Sequence, residues 1–185
     1  RRKRYGAAGT HAGLADVAHG RNMPGVEAGE IEDVILGCAM PEAEQGMNVA
    51  RPAAMLAGLP DTVPGLTINR FCSSGVQSIG QAAQAILAGA YDIAIAGGTE
   101  SMTMVPMGGN KPSANPDLLA KWPEVYTTMG ATAENVAAKF GVTREEQDRF
   151  AYESQRRAAA AQAEGRLDDE IFEVTAEWFE GSELK

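Results

Sequence analysis

Apolar and polar positions alternate in short blocks along the first half of the chain, and the block lengths switch between those of strands and those of helices. Ile31 to Leu36 closes on the run Val34-Ile35-Leu36 and predicts a strand. Val49 to Leu56 reads as a helix, with Asn48 as candidate cap, Pro52 tolerated in the first turn, and Gly58 and Pro60 beyond its end. Leu66-Thr67-Ile68, bounded by Pro64-Gly65, predicts a short buried strand. After it, Ser73 and Ser74 are good helix caps, and Val76, Ile79, Ala83, Ile86 and Leu87 recur at three- and four-residue spacing up to Gly89. Ile93-Ala94-Ile95-Ala96 predicts a second buried strand. This strand, helix, strand order implies an α/β layer structure with a parallel pair and a right-handed crossover. In such sheets, active sites gather at the carboxyl ends of the strands.

From Met104 to about Met129 the pattern breaks. Pro106, Gly108, Gly109, Pro112, Asn115, Pro116 and Pro123 predict a long irregular connection, of a length that usually carries function. Two helices follow. One is expected from about Thr132 to Phe140, stopped by Gly141; the next opens with the capping box Thr143-Arg144-Glu145-Glu146 and runs to Gly165. The run Ala158 to Ala161 is a strong helix former and reads as a packing face. Ile171 to Val174 resembles a short strand.

Composition changes the picture in three ways. With 185 residues and 44% hydrophobic content, the chain is long enough for a domain with its own core. The net charge of -9 argues against nucleic acid as a partner, and the Arg1-Arg2-Lys3-Arg4 cluster, followed by no amphipathic or apolar stretch, reads as a solvated end. Two cysteines fit a reducing compartment, and with His11 and His19 they lack the spacing of a zinc site. No run approaches the length of a membrane span.

The chemistry concentrates at Cys72, which the segment Asn69-Arg70-Phe71-Cys72-Ser73-Ser74-Gly75 puts between a strand and a helix start. Free N–H groups at a helix start favour a negative sulfur, and Gly75 lets a substrate approach the backbone. A helix terminus contributes about 0.3–1 kcal/mol, less than the roughly 1.4 kcal/mol that moves a thiol by one pKa unit, so a general base must help. His11 and His19 sit in a Gly/Ala-rich stretch with no motif around them and read as solvated surface residues. Cys38, in Leu36-Gly37-Cys38-Ala39 at a strand end, reads as a buried structural cysteine.

Three segments, Asn69 to Gly75, then Gly97-Gly98-Thr99-Glu100-Ser101-Met102, then Met129-Gly130-Ala131-Thr132-Ala133-Glu134-Asn135, together resemble successive signatures of the thiolases in order and spacing. The stretch Gly37 to Gly46 resembles the degradative 3-ketoacyl-CoA thiolases more than the biosynthetic acetoacetyl-CoA ones. The ketoacyl synthases, which also place a cysteine at a helix start, match less well at the second and third segments. The resemblance implies a thiolase-like fold, layered α/β/α with a mixed sheet. It assigns 1–104 to an N-terminal core, incomplete at its start, and 105–185 to the beginning of a loop domain over the CoA site.

The resemblance also implies thiolytic cleavage of a 3-ketoacyl-CoA, or the reverse Claisen condensation, with Cys72 as the nucleophile and Met129 bordering the acyl-CoA pocket. Glu100 and Ser101 match positions that close a turn after a core strand. Coenzyme A and acyl-CoA are then substrates, with no permanently bound cofactor, and a cytoplasmic homodimer or homotetramer is the expected form. The Gly-His-Pro motif that carries the activating histidine in thiolases is absent from the 185 residues. So are the Cys-x-Gly motif of the second cysteine and the Asn-Glu-Ala-Phe segment of the oxyanion-stabilising asparagine, and the apolar strand that opens a thiolase is not found in Arg1 to Gly29. The expectation is an N-terminal part of a thiolase, inactive alone, whose core exposes an apolar face that a similar second half would cover. A non-catalytic module, binding acyl-CoA or forming a dimer, is the alternative.

Overall fold

Strand β1, Asp33–Gly37, is the centre of the fold, with Val34 to Gly37 buried. It pairs in parallel with β2, Gly65–Ile68, on one side and with β3, Ala94–Gly98, on the other, giving the order β2-β1-β3. The two strands expected to form a pair are therefore parallel but not neighbours, because β1 lies between them. Neither is fully buried: Leu66 is exposed, and the residues of β3 are half-buried up to an exposed Gly98. The computed structural model describes residues 25–171 together with 179–180 and 183–184. The Arg1 to Arg4 cluster, His11, His19 and residues 172–174 of the last expected strand lie outside the described residues.

Successive side chains on a strand point to opposite faces, so β1 separates two helical layers. Val34 and Leu36 face helix α1, Ala50–Leu56, and join Ala50, Ala53, Ala54, Ala57, Leu59 and Val63 in the core. The helix can lie this close because β2 presents Gly65, whose place would not admit a Cβ against the backbone of Ala50 and Arg51. Asn48, expected as the cap of α1, is not one: Val49 holds the N-cap position without a side-chain bond. The N–H of Ala50 instead donates to the Thr67 hydroxyl from β2 at 3.1 Å, and that hydroxyl donates to Asn48 Oδ1 at 2.8 Å.

On the other face lies α2, Ser74–Leu87. Gly37 of β1 faces its first turn, and an added Cβ there would fall 2.6 Å from the Ser74 carbonyl oxygen and 2.7 Å from the Gly75 nitrogen. The residues of α2 that face the sheet are small: Ser74, Ser78 and Ala82 are buried. Fully buried Ser78 is satisfied by the carbonyls of Gly75 at 2.8 Å and Gly97 of β3 at 2.6 Å. The apolar stripe that defines the helix in the sequence points the other way, with Val76 at 76% and Leu87 at 87% exposure and Ile79 and Ile86 also exposed. Gly89, with φ +71°, ends the helix region as expected.

The chain divides into two compact units, Arg1–Pro112 with Val174–Lys185, and Ser113–Glu173. The first contains the sheet and a separate antiparallel pair, β4 (Phe179–Glu180) and β5 (Glu183–Leu184). The second is helical, and the connection expected to be irregular is partly ordered within it. Pro116 occupies the first turn of α3, Pro116–Lys121, where its missing N–H costs nothing, and Asn115 caps that helix by accepting from Leu118 N–H at 2.9 Å. Pro123 likewise opens a 3-10 turn to Tyr126, whose hydroxyl accepts from Asn115 N–H at 3.0 Å.

Helix α4, Met129–Phe140, starts three residues before its expected first turn, capped by Thr128, and stops at Gly141 in the left-handed region. Helix α5, Arg144–Ala163, has the expected capping box between Thr143 and Glu146. Its surface carries ion pairs one turn apart, Arg144 with Asp148 and Arg156 and Arg157 with Glu153.

Candidate functional site

The parallel register aligns Gly37 with Ile68 on one side and with Gly98 on the other. One residue further on, Cys38, Asn69 and Thr99 therefore leave the sheet side by side at its carboxyl edge. Three loops start there, and each contributes to one hydrogen-bonded assembly. Cys72 lies on the loop after β2, three residues beyond Asn69.

Cys72 is exposed and unpaired with another cysteine. The turn that carries it is tightly specified. Phe71, immediately before it, has φ +47°, a left-handed conformation that a bulky L-residue adopts only where its surroundings hold it. Those surroundings are two side chains. Asn69 Oδ1 accepts from the Phe71 N–H at 2.8 Å, an Asx turn, while Ser74 Oγ accepts from Arg70 N–H at 2.9 Å and donates to the Phe71 carbonyl at 2.6 Å. The carbonyls of Arg70 and Phe71 also accept from the N–H groups of Ser73 and Ser74, both at 3.0 Å. The Ser73 side chain, expected as a cap, makes no capping bond although its residue sits at the N-cap position; Ser74 braces the turn instead of capping the helix.

Cys38 is 1% exposed, and its thiol is pushed up to about 11, first by burial and then by the nearby Glu100 carboxylate. A thiol held protonated in this way is a poor nucleophile, since the thiolate is the reactive form. Its Sγ donates to Glu100 Oε1 at 3.8 Å. The same carboxylate accepts from the N–H of Ala39 at 2.5 Å and of Met40 at 3.3 Å, and from Gln45 Nε2. Buried Gln45 passes the connection back, accepting from Ser101 N–H at 2.8 Å and donating to the Met40 carbonyl at 2.9 Å. Glu100 and Ser101 thus tie the loop after β3 to the loop after β1.

Asn69 completes the assembly: its Nδ2 donates to the Ala39 carbonyl at 3.0 Å. Cys72 and Glu100 are thereby connected through Ala39 and Asn69, across loops that are distant in sequence. Apart from the Asn-x-Phe spacing of the Asx turn, no sequence pattern marks Asn69 or Gln45 for a role of its own, and Ser74 reads there only as a helix cap. Met129 lies in the helical unit as the first residue of α4 and is 76% exposed. Among the described residues no group of three His, Cys, Asp or Glu side chains is placed to hold a metal ion. No helix among them is long and apolar enough to cross a membrane.

Residues 20–184 match the family model of the thiolase N-terminal domain. A 3-ketoacyl-CoA thiolase of Bacillus subtilis is 59% identical over 146 residues, covering 79% of this chain and 37% of that protein. A beta-ketoadipyl-CoA thiolase of Acinetobacter baylyi is 45% identical over 170 residues, covering 82% of this chain and 42% of that protein. Among solved structures, the Bacillus anthracis acetyl-CoA acetyltransferase superposes with a TM-score of 0.74 at 33% identity, over 95% of this chain and 47% of that one. The chain therefore spans less than half the length of these relatives.

Proposed function

The chain belongs to the thiolase family, through that family's N-terminal domain, and from this premise we propose that it takes part in thiolase acyl transfer with Cys72 as the nucleophile. The observation that carries the assignment is the contrast between the two thiols at one sheet edge: Cys72 exposed on a braced turn, Cys38 buried and held protonated. In the proposed reaction, Cys72 Sγ attacks the 3-keto carbon of a 3-ketoacyl-CoA. The bond between C2 and C3 breaks, and the C2 carbanion takes a proton and leaves as acetyl-CoA, with the acyl group held on Cys72 as a thioester. The thiol of a second coenzyme A, losing its proton, attacks that thioester; shortened acyl-CoA forms and the Cys72 thiol is restored. The names of the relatives favour the degradative direction.

Several further assignments belong to the same proposal. The proton transfers fall to a histidine and a second cysteine of the Gly-His-Pro and Cys-x-Gly kind, which these 185 residues do not contain. The core reaches residue 104, the region from 105 opens the loop domain over the CoA site, and Met129 lines the acyl-CoA pocket. The outward apolar stripe of α2 supports a core layer that a similar second half covers, in a cytoplasmic homodimer or homotetramer that uses coenzyme A and acyl-CoA as substrates and keeps no permanent cofactor. An intact, exposed nucleophile turn favours catalysis over a non-catalytic acyl-CoA-binding or dimerising module.

The test uses the purified 185-residue chain with acetoacetyl-CoA or a longer 3-ketoacyl-CoA. Limiting iodoacetamide should mark Cys72 before Cys38, and the substrate should leave one acyl group at most on Cys72, none in Cys72→Ala, with no multiple turnover. Cys72-dependent multiple turnover would refute the account of the absent histidine and cysteine. Preferential labelling of Cys38 in folded protein would refute the choice of nucleophile.

A further inference from the structure

We propose that Asn69 is a positioning residue for Cys72: its amide registers the nucleophile's turn against the loop that Glu100 anchors at the end of β1. The inference rests on the reading of Cys72 as the nucleophile. Both ends of the amide are used, Nδ2 on the Ala39 carbonyl at 3.0 Å and Oδ1 on the Phe71 N–H at 2.8 Å. The peptide it grips is itself fixed, because that peptide's own N–H, of Met40, donates to Glu100 at 3.3 Å; the preceding peptide's N–H, of Ala39, donates to the same carboxylate at 2.5 Å, and Gln45 donates to it as well.

Asn69 and Ser74 divide the work of holding Phe71 at φ +47°. Ser74 belongs to α2, so its bonds fix the turn to the helix. Asn69 fixes the same turn to the sheet edge. With Asn69 removed, the turn keeps its tie to the helix but loses its reference to the strand ends, and Phe71 can relax toward an ordinary backbone conformation that redirects the next residue, Cys72. Asparagine suits the position because its amide donates from one atom and accepts at another. Aspartate retains the bond to Phe71 and turns a carboxylate oxygen against the Ala39 carbonyl; alanine loses both bonds.

The experiment compares Asn69→Asp, Asn69→Ala, Glu100→Gln and the Asn69→Asp/Glu100→Gln double variant in the 185-residue chain. Two rates are read for Cys72 at one pH: acylation by an aryl thioester, which requires an aligned sulfur, and alkylation by iodoacetamide, which tolerates its orientation. Positioning predicts that acylation falls by about tenfold or more while alkylation stays within about a factor of two. Because Asn69 and Glu100 act through one chain of bonds, the double variant should be no slower than the slower single.

The proposal is overturned if the variants acylate at the wild-type rate. Equal losses in both rates together with a lowered melting temperature, the mark of a merely structural role, overturn it too, as do independent effects that multiply in the double variant. Wild-type acylation with unaffected variants would sink this inference alone. A wild-type Cys72 that alkylates but takes no acyl group would sink the nucleophile assignment with it.

Discussion

Replacing Gly37 by alanine tests whether the sheet sets the position of the nucleophile's helix. The added Cβ would meet the Ser74 carbonyl oxygen at 2.6 Å and the Gly75 nitrogen at 2.7 Å. Comfortable heavy-atom contacts lie at about 3.5–4.0 Å, so the start of α2 must retreat by roughly 1 Å. Both obstacles are backbone atoms, and no rotamer change relieves them. Such overpacking costs about 1–3 kcal/mol. Against it stands about 0.5–1 kcal/mol regained by removing a glycine from a strand.

The clash wins, with a net loss of up to roughly 2.5 kcal/mol and, at about 2–4 °C per kcal/mol for a chain of this size, a melting temperature lower by up to about 10 °C. Gly80→Ala is the control. It lies within α2, meets nothing within 4 Å and should raise stability by about 0.5–1 kcal/mol. Thermal melts followed by far-ultraviolet circular dichroism read both. Acylation of Cys72 should slow in Gly37→Ala and not in Gly80→Ala, because a displacement of about 1 Å at a reacting group can cost up to about a hundredfold. A Gly37→Ala protein that melts at or above the wild type would show that β1 and the first turn of α2 are not packed as described.

The raised thiol of Cys38 gives stability an alkaline limit. From 9.0 in the unfolded chain to about 11 in the fold, the unfolded state loses its proton first, so stability is fully present below about pH 9 and declines as pH rises through 11, by roughly 2–3 kcal/mol in all. Cys38→Ser or Cys38→Ala should flatten that part of a denaturation-against-pH curve; an unchanged slope would assign it to other groups. For Met129, exposed at the start of α4, Met129→Ala in an active thiolase carrying this chain should raise the acyl-CoA KM or change chain-length preference with little change in melting temperature. A large drop in melting temperature with unchanged kinetics would instead mark it as a packing residue.

The sequence alone determined what neighbouring residues decide among themselves. The box between Thr143 and Glu146 and the stop at Gly141 are legible because a cap is made within one turn of chain. Cys72 is legible as a candidate because its strand-to-helix setting and motif lie within a few residues. The Asn115-Pro116 start of α3 was available in the same local way, but the density of Pro and Gly around it reads as loop.

The remaining features depend on contacts between elements far apart in the chain. Apolar spacing reveals that α2 has an apolar stripe, but not which layer covers it; the sheet takes Ser74, Ser78 and Ala82 because Gly37 lets backbone approach backbone, leaving Val76 and Leu87 outward. The true cap of α1 is a threonine from β2, and β1 enters between the two later strands, which no short window of sequence contains. The setting of the nucleophile is of the same kind. Asn69 reaches Ala39, and Glu100 reaches Ala39, Met40 and Gln45, only because parallel register brings three strand ends into one row. Hydrogen bonds between loops thirty to sixty residues apart leave no periodicity to read; they follow from the sheet, and the sheet follows from burying Val34 to Leu36 between two layers of helix.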